Sequence, residues 1–190
     1  MYKVPAKEAI EGGILPDPKV YLIPMLLDSK SLSCSIIRNK KRGNPITISF
    51  YDKWKWARER NRQVIIKCTQ VQYYNDMSGL IEWYKKRFGH KSRIYLQACG
   101  ERLKWLSDQK TSFVKHLLDQ LGGERTLTFC NGIAQTEILG TYCINSQNKN
   151  SEQNLQEFNN GRVAHITACN MLYEGVNLTN CRVGIYATLN

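Results

Sequence analysis

Apolar positions are most regular in the second half of the chain. Leu103, Leu106, Phe113, Val114, Leu117, Leu118 and Leu121 recur at helical spacing and predict one long helix with a single apolar stripe, stopped at Gly122-Gly123. A helix of that kind packs one face onto a sheet. Short strand and short helix patterns then alternate: Arg125 to Cys130, a helix at Ile133 to Leu139, Thr141 to Ile144, a helix at Ser151 to Phe158, then strands at Val163 to Cys169 and Arg182 to Thr188. Asn150 and Gln153 stand where a reciprocal cap on the last helix needs them. This alternation is the habit of a parallel sheet flanked by helices, so the expected fold class is α/β, with four strands from this half.

The first half is less regular. Lys7 to Gly13 reads as a short helix ending on glycines, Leu15-Pro16-Asp17-Pro18 as a turn, and Lys19 to Leu27 as a strand that Pro24 pushes toward an edge or a bulge. Asp28 to Pro45 is polar and basic, with Lys40 to Pro45 an exposed loop of low order. Asp52 to Asn61 and Thr69 to Phe88 carry helical spacing, the second through Met77, Leu80, Ile81 and Tyr84, with Gly89 as its stop. Three segments result: a tail or linker at 1–27, a basic, aromatic-rich and mainly helical accessory segment at 28–100, and the α/β domain at 101–190.

Composition narrows the class. With 190 residues, 42% hydrophobic and 23% charged, the chain can bury roughly 70% of its unfolded surface, enough for one main domain and an appendage. No apolar run approaches the ~18 residues that span a bilayer, and MYKVPAKEAI lacks the apolar stretch of a signal peptide, so a soluble, cytoplasmic protein without a membrane partner is expected. The seven cysteines never form a Cys-x-x-Cys pair, and several lie in apolar strands as small hydrophobes. His90, His116 and His165 are scattered, and structural roles suit them better than catalysis.

Charge is more telling once located. Residues 30–110 carry 19 Lys and Arg against 6 Asp and Glu, while the rest of the chain is slightly acidic. Trp54, Trp56, Tyr73, Tyr74, Trp83, Tyr84 and Tyr95 are interleaved with those cations, a mixture suited to phosphate attraction and base stacking. Trp54-Lys55-Trp56 reads equally as a stacking platform and as the apolar side of an amphipathic helix.

The order of Lys110 and its helix, RTLTFC, CINS at Cys143 to Ser146, LQEFNNG and HITACNMLYEGVNL resembles the second RecA-like domain of superfamily 2 helicases and translocases, over Glu101 to Asn190. TLTFCN, Thr126 to Asn131, looks like motif IV, and ACNMLYEGVNL, Ala168 to Leu178, looks like motif V. The LPDP segment resembles the passage by which such proteins leave their first motor domain. The resemblance implies nucleic-acid contacts at Phe129, Cys130, Asn131, Ser146, Cys169 and Asn170, with DNA favoured over RNA. It implies a nucleotide-facing group of Glu174, Gly175 and Asn177, the last at a position often held by Asp. ATP and Mg2+ would belong to the complete protein, and the partner would be a first RecA-like motor domain.

Two departures limit the activity expected. No Gly-x-x-x-x-Gly-Lys-Ser/Thr and no Asp-Glu box occurs, and the chain reaches Asn190 before the Gln-x-x-Gly-Arg-x-x-Arg motif that supplies the arginine fingers of the family. An arginine finger alone is worth ~10³ to 10⁵ in rate, so the chain is expected not to hydrolyse ATP or hold nucleotide and metal by itself. It reads as part of a larger helicase or as a degenerate partner of one. The alternatives are a non-motor parallel α/β domain, such as the nucleotide-sugar half of a transferase, and a nucleic-acid-binding subunit with no nucleotide role.

Overall fold

A computed structural model describes residues 6–13, 17, 19–169 and 178–188. A short helix, α1 (Ala6–Glu11), closes on Gly12 and Gly13, the latter at φ +70°. The strand expected at residues 19–27 does not form. That stretch runs without regular structure, with Leu22 91% and Leu26 97% exposed. Its apolar run reads as a strand, but among the described residues no strand pairs with it to take up its N–H and C=O groups. The segment is tied down at its end, where Asp28 N–H donates to Gln70 Oε1 (2.8 Å) and Asp28 C=O accepts from Val71 N–H (3.2 Å).

The accessory segment carries a sheet that its sequence did not announce. Strands β1 (Cys34–Arg38), β2 (Ile46–Ser49) and β3 (Val64–Cys68) lie in the order β1-β3-β2, with β1 antiparallel and β2 parallel to β3. Ile36, Val64, Ile66 and Cys68 form its core, with Phe50, Trp56 and Tyr73 packed around them. A 3-10 turn at Phe50–Asp52 leads into α2 (Lys53–Arg58).

Helix α3 (Gln70–Phe88) starts on a complete capping box: Thr69 Oγ1 accepts from Gln72 N–H (3.2 Å) and Gln72 Oε1 accepts from Thr69 N–H (2.9 Å). It stops at Gly89, whose φ of +81° only glycine adopts without strain. Helix α4 (Arg93–Gln109) runs back along it, so that Arg102 reaches Ser78 (3.2 Å) and the ring of Tyr74.

The long helix expected to end at Leu121 is in fact two, α4 and α5 (Thr111–Leu121), meeting at Lys110. The Ser107 carbonyl explains the break. It accepts from Lys110 N–H (3.0 Å), a tight turn, and from the side-chain amide of Gln135 (2.9 Å).

The parallel α/β sheet follows. Strands β4 (Thr126–Cys130), β5 (Cys143–Ile144), β6 (His165–Cys169) and β7 (Val183–Tyr186) lie in the order β5-β6-β4-β7, all parallel. Helices α5 and α6 (Ile133–Leu139) cover one face, with Val114, Leu118 and Leu139 against Cys130, Ile185 and Ala187. Helix α7 (Ser151–Asn159) covers the other, with Leu155 and Phe158 against Leu127, Ile144, Ile166 and Ala168. The reciprocal cap expected from Asn150 and Gln153 is absent, since Asn150 makes no side-chain capping bond. The turn before α7 is instead organised by Asn145, whose Oδ1 accepts from the N–H of Gln147 and of Asn148, both at 2.9 Å. No helix among the described residues is long and apolar enough to cross a membrane.

Candidate functional site at the carboxyl edge of the parallel sheet

Because the four strands run the same way, their carboxyl ends share one edge. Register aligns Cys130 of β4 with Cys169 of β6, and Phe129 with Ala168 on one side and Tyr186 on the other. The chain leaving β4 crosses the face covered by α5 and α6 to reach β5. The approach to β7 lies on the opposite face, where Leu178 and Cys181 pack into the cluster beneath α7. The strand tips at this edge are the usual ligand position in open α/β sheets.

The residues singled out from the sequence are placed unevenly around this edge. Cys130 and Cys169 are buried at 3% and 4% exposure, so any contact at these positions is made by backbone. Burial, with the thiols of Cys169 and Cys143 nearby, pushes Cys130 up to about 12, and burial raises Cys169 as well. Asn131 is half-buried with its N–H bonded to Gln135 Oε1 (3.1 Å), and Ser146, just past β5, is exposed. Phe129 stacks on Tyr186 at 4.8 Å and 14°, leaving the Tyr186 ring 69% exposed on the face of α7. Asn170, Glu174, Gly175 and Asn177 lie outside the described residues.

Three features escaped sequence reasoning. Ser107 and Gln135, both buried, form a polar knot beneath the edge: Ser107 Oγ lies 2.9 Å from Gln135 Oε1 and 2.7 Å from the Ala187 carbonyl. Lys110 Nζ donates to the Thr188 carbonyl (3.1 Å) just beyond β7, and desolvation lowers its pKa. Lys104 lies over Gly132, its Cε 3.7 Å from where a Cβ would stand. The edge thus carries two lysines beside the Asn131-Gly132 turn. Only the pairing of β4 with β7 brings Lys110 and Tyr186 there, and no pattern in the sequence encodes that pairing.

Electrostatically, this lip suits an anion. Among the described residues no group of three His, Cys, Asp or Glu side chains could hold a metal ion. His165 Nε2 lies 2.6 Å from the Gly122 carbonyl and His116 is 3.2 Å from Gln120, local contacts in keeping with structural roles.

The accessory segment presents a second charged region. Trp54 and Trp56 divide the two readings of their cluster between them. Trp56 packs on the core of the first sheet, whereas Trp54 is 54% exposed with the Arg58 guanidinium 4.7 Å from its ring centre. A cleft of about 270 Å³ opens between β1 and the α3–α4 pair, where Asp76 is held by Arg38 (2.5 Å) and Lys53 (3.1 Å).

The sequence matches no protein-family model and no curated protein.

Proposed function

We propose that the chain is the C-terminal motor lobe of an ATP-dependent superfamily 2 helicase or translocase, providing one wall of an ATP cleft and half of a nucleic-acid track. The observation that carries this reading is the parallel pairing of β4 with β6, which sets Cys130 beside Cys169 at their tips. It brings the motif IV-like turn at Asn131 beside the strand from which the motif V-like segment emerges. Ser146 and the lysine pair share that edge, so a phosphate backbone laid along it meets hydroxyl, amide and cationic donors together.

The exposed run from Val20 to Leu26 supports a companion lobe. This apolar run, exposed along its length, fits the edge of a sheet not found among the described residues. In the complete protein the companion lobe supplies the phosphate loop. This chain binds and orients the strand, and nucleotide-dependent closing and opening of the cleft moves the two lobes along it. ATP, with Mg2+, supplies the phosphoryl chemistry that drives the cycle.

Fluorescence anisotropy with a short labelled single-stranded oligonucleotide at low salt tests the reading. Binding is expected, weakening several-fold in Asn131→Ala and Ser146→Ala. Absence of binding, together with thermal protection by a nucleotide sugar, would instead assign this edge to a transferase-like domain.

A further inference from the structure

The tip of the α3–α4 pair is built against the interests of its own helices. Lys85, Lys86 and Arg87 fill the last turn of α3, where cations favour the helix dipole. Beyond the Gly89 turn, however, Lys91 and Arg93 load the start of α4, where positive charge opposes the dipole. The first turn of α4 has no acidic residue, and the Ser92 side chain makes no capping bond, its Oγ donating instead to the Gly89 carbonyl (2.9 Å). Helix stability does not account for this concentration of charge.

The same tip leaves large rings uncovered. Trp83 is 50% exposed and Phe88 49%, their centroids 5.9 Å apart and their planes at 82°, with Tyr84 packed beside both. The Arg87 guanidinium lies 5.6 Å from the Trp83 ring centre and 5.8 Å from that of Phe88. Trp83 stands roughly 200° around α3 from the buried Ile81, on the side away from the core, and Phe88 lies at the last residue of the helix with half its surface open. Rings with open π-faces inside a ring of cations complement a polyanion that also offers flat aromatic surfaces.

We propose that this tip is a second contact for single-stranded nucleic acid, with an unpaired base stacked on Trp83 or Phe88 and phosphates held by Lys85, Lys86, Arg87, Lys91 and Arg93. The inference rests on the proposed function only for its choice of ligand. The base of the helix pair lies against the parallel lobe, where Gln70 Nε2 donates to Gln109 Oε1 (2.8 Å) and Tyr73 packs on Trp105 (4.9 Å). Nineteen residues of α3 separate that base from the tip by roughly 28 Å, so the strand is gripped away from the sheet edge as well as at it.

The test uses the full chain and labelled oligo(dT) and oligo(U), with anisotropy read across a salt series and vesicles of anionic lipid as a competitor. Trp83→Ala and Phe88→Ala are each expected to weaken binding roughly 5- to 100-fold, the range for loss of one stacked base, while Trp83→Phe retains most of it. Reversing Lys85, Lys86 and Arg87 to Glu flattens the slope of log K against log salt by about 2 or more. Quenching of tryptophan fluorescence on binding diminishes in Trp83→Phe, a readout that a merely structural ring would not move.

Affinity within twofold of wild type in Trp83→Ala overturns the proposal, as does displacement by the vesicles with no effect of the ring substitutions. The companion substitutions Asn131→Ala and Ser146→Ala separate the two readings. Loss at the tip alone leaves this proposal standing and sinks the motor reading; loss at the sheet edge alone does the reverse; no binding by wild type removes both.

Discussion

Gln135 is 2% exposed and its side chain serves four partners, accepting from Asn131 N–H and lying against Ser107 Oγ while donating to the Ser107 carbonyl and to Thr111 Oγ1. It links the α4–α5 break to the turn after β4, so the candidate edge depends on it without its touching a ligand. Gln135→Ala should cost about 2–4 kcal/mol in urea unfolding, because buried donors and acceptors are stranded as well as volume lost. Gln135→Leu restores the volume but not the bonds, and a similar loss in that variant would assign the cost to hydrogen bonding. The buried thiols give a pH test. Burial raises Cys130 to about 12 and Cys68 to about 11 from an ordinary 9, so the folded chain keeps protons that the unfolded chain releases. Their contribution is fully present below about pH 9 and is lost as pH climbs through 11 to 12, at up to about 1.4 kcal/mol per thiol per pH unit. Urea midpoints measured from pH 8 to 10.5 should fall accordingly, and Cys130→Ala should fall less steeply.

At the level of elements, the alternation of short strands and helices carried the legible information, whereas the cap read at Asn150 and Gln153 did not form. The structure adds a cap at Thr69 and Gln72 on the start of α3, and Thr69→Ala should lower stability by about 1 kcal/mol, read by thermal melting at the helix band. The four parallel strands, α6 and α7 were readable because each is short, bounded by polar residues and alternates with its neighbour. The break at Lys110 was not, because that residue keeps helical dihedrals and the apolar stripe never loses phase. Strands β1 to β3 were hidden for another reason. They are four or five residues long, flanked by Arg38, Lys40 and Lys67, and depend on Tyr73 and Trp56 from helices to complete their core. Residues 19–27 misled in the opposite direction, since a short apolar run reads as a strand but cannot supply its neighbour. The site followed the same division. Parallel order brought Cys130, Ser146 and Cys169 to one edge as expected, whereas the burial of both thiols and the arrival of Lys110, Gln135 and Tyr186 depend on packing across 24 to 80 positions of sequence.

Across the whole molecule, charge and candidate edge are divided between two halves joined by one helix. Among the described residues the basic half has one core cluster, while the parallel half has two, on opposite faces of its sheet. Helix α4 belongs to both: Ala98 is buried against the helix pair and Ser107 against Ala187. Trp105 stands between them, its ring 4.9 Å from that of Tyr73, which itself packs on the first sheet. Under the proposed function, rigid coupling through this contact would let a strand held by the basic half be displaced when the parallel half moves. Trp105→Ala removes the ring contact while sparing the Ser107–Gln135 knot, and should cost about 2–3 kcal/mol, somewhat below a fully buried tryptophan. The loss should fall on the basic half, because a three-stranded sheet of short strands has little stability apart from its helices. Wild type is therefore expected to unfold in one transition, and Trp105→Ala in two. Fluorescence of the three remaining tryptophans, Trp54, Trp56 and Trp83, all in the basic half, should change at lower urea than helical dichroism, which reports on both halves together. Coincident transitions in the variant would mean that α4 alone holds the halves together, and that the Tyr73–Trp105 contact transmits nothing.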